Sequence, residues 1–260
     1  MKKIYAVLNS ILIVFVIYWN YWVNTGNIND KTMGELSAEY ANLFTPAGYA
    51  FAIWGIIFIA LVVLGLNQIR LAFWGGKHSD TILKIGPWLL LTNLGNAAWL
   101  WFWLNEQTGI SVLIMLFILA TLIVIVNRLD LENWDAPLSV IATVWWPITI
   151  YFGWISVATI ANISAWLAKL SWSWLLDDIQ WAVVMISIAA ILNIIMVLYR
   201  NMREFAAVGI WAITAIAVRH WDQIALIQWV CIFWIGILAS TVLAHAYKNR
   251  AINPFKKLMG

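Results

Sequence analysis

Apolar residues run along this chain in unbroken stretches of about twenty, separated by short polar segments, and nothing alternates at period two. Eight stretches stand out, at 4–24, 47–70, 87–104, 109–127, 139–168, 180–199, 205–219 and 223–247. A helix of that length spans ~30 Å of hydrocarbon at ~1.5 Å per residue. Backbone groups in lipid must pair within their own segment, so the pattern predicts an all-α polytopic membrane protein of about eight helices rather than a barrel. The fifth stretch is too long for an upright helix, at ~45 Å, and must tilt, overhang or bend near Pro147. The second follows a long polar loop, 25–46, where Thr45 is placed as N-cap and Pro46 as first helical residue, predicting a sharp helix start.

Composition strengthens this reading. Hydrophobic residues make up 64% of the 260 and charged residues 10%, well below the ~25% charge of soluble domains, which excludes a soluble enzyme. The start, Met1-Lys2-Lys3 and an apolar run, resembles a secretory signal. The run continues to about Val23 without a small-residue cleavage site, so it reads as a retained first helix. Charge then orients the bundle. One side receives Lys2, Lys3, Arg70, Lys77, Lys84, Arg128, Arg200, Arg203, Lys248, Arg250, Lys256 and Lys257, and the other only Lys31, Lys169 and Arg219. By the positive-inside rule both termini are cytoplasmic, in what we read as the cell membrane, with the 25–46 loop outside. The net charge of +3 therefore needs no nucleic-acid partner. Cys231 stands alone, which excludes an internal disulfide and a cysteine-based metal site.

Tryptophan is the compositional excess, at 20 residues. Trp19, Trp22, Trp74, Trp88, Trp103, Trp172, Trp174, Trp181 and Trp221 fall near the ends of the stretches, where indoles form interfacial belts. Trp54, Trp99, Trp145, Trp146, Trp154, Trp211 and Trp234 lie deeper, where an indole N–H needs a partner or a cavity. Three of these stand in polar or aromatic patterns. Phe51, Trp54 and Phe58 recur along one face of the second stretch. In the third, Asn93, Asn96 and Trp99 share a face, their amides fitting interhelical bonding as well as contact with a ligand. In the fifth, Tyr151, Trp154, Ala158 and Asn162 line about three turns, forming either a pocket wall with a gap at Ala158 or a close helix contact.

Taken in order, the motifs Pro46, Phe51 and Trp54, then Asn93, Asn96 and Trp99, then Tyr151, Trp154, Ala158 and Asn162 resemble those of the translocator protein family, also called tryptophan-rich sensory protein or TspO/MBR. The resemblance covers roughly residues 1–169. It implies a five-helix membrane bundle with a pocket between its second, third and fifth helices that opens toward the long first loop. That pocket would take a tetrapyrrole such as protoporphyrin IX, giving the protein a binding, transport or receptor role. Trp54 and Trp154 would flank the ligand, Ala158 would leave room for it, and Asn93 and Asn96 would supply polar contacts. Two departures stand out. Ile150 precedes Tyr151 where a proline is usual, the proline being Pro147. Three further helices and a short basic tail also follow, over 170–260. These can cover the surface on which a homodimer would form, build a second bundle, or couple binding to an output.

The chemistry of the sequence narrows the function. The five family-like helices hold no His or Cys, and His78 lies in a loop, so haem iron lacks its usual ligands and a metal-free tetrapyrrole fits better. No resident cofactor, metal site or catalytic residue is expected. Its expected partners are the lipid bilayer and a small hydrophobic ligand. Arg219, His220 and Asp222 at a helix end read as solvated anchors. The alternative functions are light-dependent degradation of bound porphyrin and ion-independent transport. Ion-coupled transport is disfavoured, because no Asp, Glu, Lys or Arg lies well inside a stretch.

Overall fold

The computed structural model describes residues 1–40, 42–172 and 175–250, so Trp174, Lys256 and Lys257 of the expected belts and basic side lie outside the described residues. The described chain is helical, without strands. We label its helices α1 (Lys2–Trp22), α2 (Met33–Glu39), α3 (Ile53–Phe73), α4 (Thr81–Ile85), α5 (Trp88–Leu104), α6 (Thr108–Leu129), α7 (Leu138–Lys169), α8 (Asp178–Arg200), α9 (Arg203–Arg219) and α10 (Ala225–Lys248). Six of them, α1, α3, α6, α7, α8 and α10, are long and apolar enough to cross a membrane. The remaining two long ones, α5 and α9, have 17 residues each and reach ~26 Å. Each of the eight apolar stretches thus becomes a helix. Large apolar side chains such as Ile11, Ile59, Leu113 and Leu198 face outward, as an integral membrane protein requires.

Five helices close a ring: α1 packs on α3, α3 on α7, α7 on α6, α6 on α5, and α5 back on α1. The last three add to one side, with α9 against α7 and with α8 and α10 against α9 and each other. As a result α7 is the axis of the molecule. Inside the protein lies 78% of its most apolar window, against 22% for α10. Small residues permit the close contacts. A Cβ on Gly95 of α5 would stand 2.8 Å from Ile118 of α6, and one on Gly153 of α7 would stand 3.2 Å from the Phe205 carbonyl of α9. Polar side chains pair across the same seams, as in Asn9 donating to Gln68 (3.0 Å) and the Thr92–Thr121 hydroxyl pair (2.9 Å). In lipid, where apolar surface gives helices no reason to associate, such packing and bonding hold the bundle together.

Two local expectations change. The α3 helix does not begin at Pro46. Thr45 Oγ1 accepts instead from the Asn42 amide (3.0 Å), and a 3-10 turn, Gly48–Ala52, leads into the helix at Ile53. The cause is a neighbour: the Ala47 N–H donates to the Ala215 carbonyl of α9 (3.0 Å), which holds the chain away from α geometry. Around Pro147, the irregularity takes the form of a π-helical turn, Ile141–Trp145, immediately before it. Proline has no N–H to give the carbonyl four residues back, so the ladder shifts register there.

The basic residues separate by end. Lys31, Lys169 and Arg219 lie at the end carrying α2, where the first two meet Glu106 and the third meets the Pro46 carbonyl. At the opposite end, Lys2 reaches Ser79, and Arg128 and Arg200 reach the carbonyls of Leu83 and Val126.

Candidate ligand cavity

Between α3, α5, α7 and α9, at the α2 end of the bundle, the helices line a cavity of about 50 Å³, thin gaps between aromatic rings. That volume is well below the roughly 300–1,000 Å³ of small-molecule sites, so a ligand of that size would have to move the walls. Its aromatic walls are Phe51 from the 3-10 turn, Trp54 from the start of α3, Trp99 and Trp103 from α5, and Trp154 from α7. Between the rings, Ala158, Ala161 and Ala165 form a strip of small side chains along α7, with Asn162 beside it. Ala212 and Ile216 of α9 complete the wall.

The rings brace one another. Phe51 meets Trp154 edge-on (6.2 Å), Trp54 meets Tyr151 edge-on (5.9 Å) and stacks on Phe58 (5.4 Å), and Trp99 stacks on Trp103 (6.2 Å). A rigid macrocycle would have to part these rings, which turn on side-chain torsions alone.

Hydrogen bonding divides the deep tryptophans into two classes. Trp99 donates to Asn162 Oδ1 (2.8 Å), Trp146 to Glu204 (3.0 Å), Trp211 to the Ala50 carbonyl (3.1 Å) and Trp234 to Ser187 (3.0 Å). Trp54 and Trp154 are buried, line the cavity, and have indole N–H groups with no partner. An unmet buried donor costs about 1–3 kcal/mol. Both belong to side chains that line the same cavity.

Of the ten residues singled out by sequence, seven line the cavity: Pro46, Phe51, Trp54, Trp99, Trp154, Ala158 and Asn162. Within these, Asn162 is occupied by structure, accepting from Trp99 and donating to Ser111 Oγ (2.9 Å), so it joins α5, α6 and α7. Asn93, Asn96 and Tyr151 do not reach the wall. All three are fully buried behind it, where Asn96 accepts from Asn20 of α1 (3.1 Å) and its amide lies near the Tyr151 hydroxyl. Asn93 is left without a partner.

Other wall residues went unread in the sequence. Trp103 was assigned to an interfacial belt, yet it is only 4% exposed and faces the cavity, because the polar α2 segment folds over it. Its position one helical turn beyond Trp99 is the signal that marks it. Ala161 and Ala165 similarly continue the spacing of Ala158. Met33, Ser37, Phe44, Thr45, Ala212 and Ile216 come from a loop segment and a distant helix, and no periodicity within the three motifs points to them.

The first loop closes the cavity. Thr32 caps α2 reciprocally with Glu35, which sets its start. Met33 and Ser37 then face the cavity, and the Met33 carbonyl and amide are tied to Trp103 (3.5 Å) and Asn24 (3.1 Å). Beyond α2, Glu106 gathers the Tyr40 hydroxyl (2.5 Å), Lys31 (3.1 Å) and, through its carbonyl, Lys169. The Tyr40 hydroxyl and then Lys31 hold the Glu106 carboxyl below its usual range. Burial first, and the bond to Glu106 second, push Tyr40 up to about 12. This network ties the loop and the end of α7 to the α5–α6 turn.

The model of a family described as TSPO-like protein matches residues 6–244 of this chain. The match runs through α8, α9 and most of α10, well beyond the 1–169 carried by the three motifs. No curated protein matches the chain, and neither does any solved structure.

Proposed function

The chain belongs to the TSPO-like family of membrane proteins, and from that premise we propose that it binds a flat, largely apolar small molecule, a metal-free tetrapyrrole such as protoporphyrin IX, in the cavity between α3, α5 and α7. Membership in that family supports small-molecule binding within a membrane. One observation carries the finer reading: Trp54 and Trp154, which line one aromatic cavity, both carry a buried indole N–H group without a partner. A planar ligand would gain ring stacking on both faces and would satisfy donors that are otherwise unmet. The alanine strip beside Trp154 supplies the slot for its edge. Sensing or transport would follow from binding, with the α2 loop as the route in and, by the charge split, facing away from the cytoplasm.

The test is a titration with protoporphyrin IX, followed by tryptophan quenching, on the full chain in neutral lipid nanodiscs. Replacing both donors, Trp54→Phe with Trp154→Phe, keeps aromatic rings and removes the N–H groups. Affinity should fall about tenfold or more, the equivalent of ~1.4 kcal/mol. Unchanged affinity and stoichiometry in the Trp54→Ala, Trp154→Ala double variant would overturn the assignment.

A further inference from the structure

Behind Phe44 lies a second and larger cavity, of about 600 Å³. It opens at the same end of the bundle, between the close of α7, the start of α8, the end of α9 and the 42–44 segment. Phe44, only 2% exposed, lines both this vestibule and the inner cavity and so forms their common wall.

The chemistry of this vestibule is unlike that of the inner site. Arg219 and His220 stand on its inner wall, and Ser164, Ser171 and Gln223 add further polar groups. The sequence suggests that Arg219, His220 and Asp222 are solvated anchors, but His220 is 4% exposed because the first loop folds onto it. Its Nε2 donates to the Leu43 carbonyl (3.0 Å), which leaves Nδ1 buried without a partner. Arg219 gives one long bond to the Pro46 carbonyl (3.4 Å) and pairs with no carboxylate among the described residues. Asp178, the acidic residue on the lining, is exposed at the rim.

A half-buried guanidinium with no counter-ion, next to a buried imidazole with one free nitrogen, is matched by a carboxyl group. The guanidinium offers paired donors. With Nε2 committed, Nδ1 accepts from a carboxylic acid when the ring is neutral and donates to a carboxylate when it is charged, so one shared proton serves either arrangement.

We propose that this vestibule is a second binding station, taking the carboxylate-bearing edge of an amphipathic aromatic ligand through Arg219 and His220 while Phe44 separates it from the inner aromatic cavity. The proposal rests on the reading of the inner cavity and adds to it the groups that take the ligand's carboxyl edge, Arg219 and His220. The α9 helix supplies both the carboxylate partners here and Ala212 and Ile216 of the inner wall, so the two stations are fixed relative to each other.

Two probes separate the stations: protoporphyrin IX, which carries two free carboxyls, and its dimethyl ester, which carries none. In neutral lipid nanodiscs the unaltered chain should bind the diacid at least tenfold more tightly than the ester. Arg219→Gln should remove most of that preference by weakening the diacid alone. Ala168→Trp, at an exposed position on the lining itself, narrows the vestibule without touching the Arg219 bond, and it should reduce the preference even if Arg219→Gln fails to fold. Ala158→Phe fills the inner cavity and should weaken both probes alike. No preference in the unaltered chain, or equal effects of Arg219→Gln and Ala168→Trp on both probes, would overturn the vestibule while an effect of Ala158→Phe leaves the inner site standing. If Ala158→Phe changes neither probe, the inner reading falls, and the vestibule proposal falls with it.

Discussion

The two cavities lie on either side of Phe44, yet they are built on different principles. The inner one is made by helix faces: aromatic rings at helical spacing on α3, α5 and α7, with two indole donors left unmet. The vestibule is made by helix ends and loops, and its polar groups gather where α7, α8, α9 and the first loop come together. A site on helix faces has its geometry fixed by packing within the bundle. A site at helix ends depends on loop closure, and so on exposed bonds that are individually weak.

The most disruptive way to break that difference is to remove the wall between the cavities. Phe44→Ala deletes a fully buried ring, for an expected loss of about 3–5 kcal/mol of stability. In the molecules that remain folded the inner and outer stations should merge, so diacid and ester should both dissociate faster than from the unaltered chain in a stopped-flow chase. Next in size, Gly153→Leu drives α9 off α7, because the neighbour is the Phe205 backbone and not a movable side chain. Overpacking of this kind costs about 1–3 kcal/mol, which lowers the thermal midpoint by roughly 2–12 °C. Since α9 walls both cavities, both probes should weaken together.

A subtler pair of variants sharpens the contrast within the inner cavity itself. Trp99→Phe cuts the bond to Asn162 that ties α5 to α7 and should cost about 1 kcal/mol of stability with little change in ligand affinity. Trp154→Phe removes a donor that bonds to nothing. It should cost less stability than Trp99→Phe while weakening the ligand more, and thermal melts with parallel titrations would read both. A reversed order would mean that the partnered indole, not the free one, serves the ligand.

The smallest effect is expected at the loop. The Tyr40 hydroxyl and Lys31 depress the Glu106 carboxyl below 4.5, so the carboxylate stabilises the closed loop at any pH above that value. The contribution is lost as pH falls through the lowered value. Ligand exchange should therefore quicken as pH falls below 4.5 and through that lowered value. Glu106→Gln should reproduce the faster exchange at neutral pH, by no more than about fivefold, the equivalent of ~1 kcal/mol for exposed pairs.

The contrast also explains what could be read from the sequence. Phe51, Trp54, Trp99, Trp154, Ala158 and Asn162 repeat at three- and four-residue steps, and such steps on helices place side chains on one face whatever the rest of the chain does. The eight helices were legible for the same reason, as apolar length is a local property. Arg219 and His220 were seen but misread, because nothing local tells a solvated helix end from one covered by a loop 177 residues away. Local capping rules place Pro46 at the helix start, but the bond from the Ala47 N–H to the Ala215 carbonyl overrides them. Asn93, Asn96 and Trp99 share a face as expected, but the face is wide enough for Asn96 to turn to α1 while Trp99 turns to the cavity.

The bonds from α9 to the first loop also set an order of events during synthesis. Pro46 meets Arg219 across 173 residues, and Ala50 meets Trp211 across 161. At roughly 5–20 residues per second, the segment before α3 waits on the order of ten to thirty seconds for the helix that holds it. The nascent five-helix ring therefore meets the membrane with its aromatic cavity open on the α9 side, and a ligand or lipid present at that stage can occupy it before the last helices close the wall.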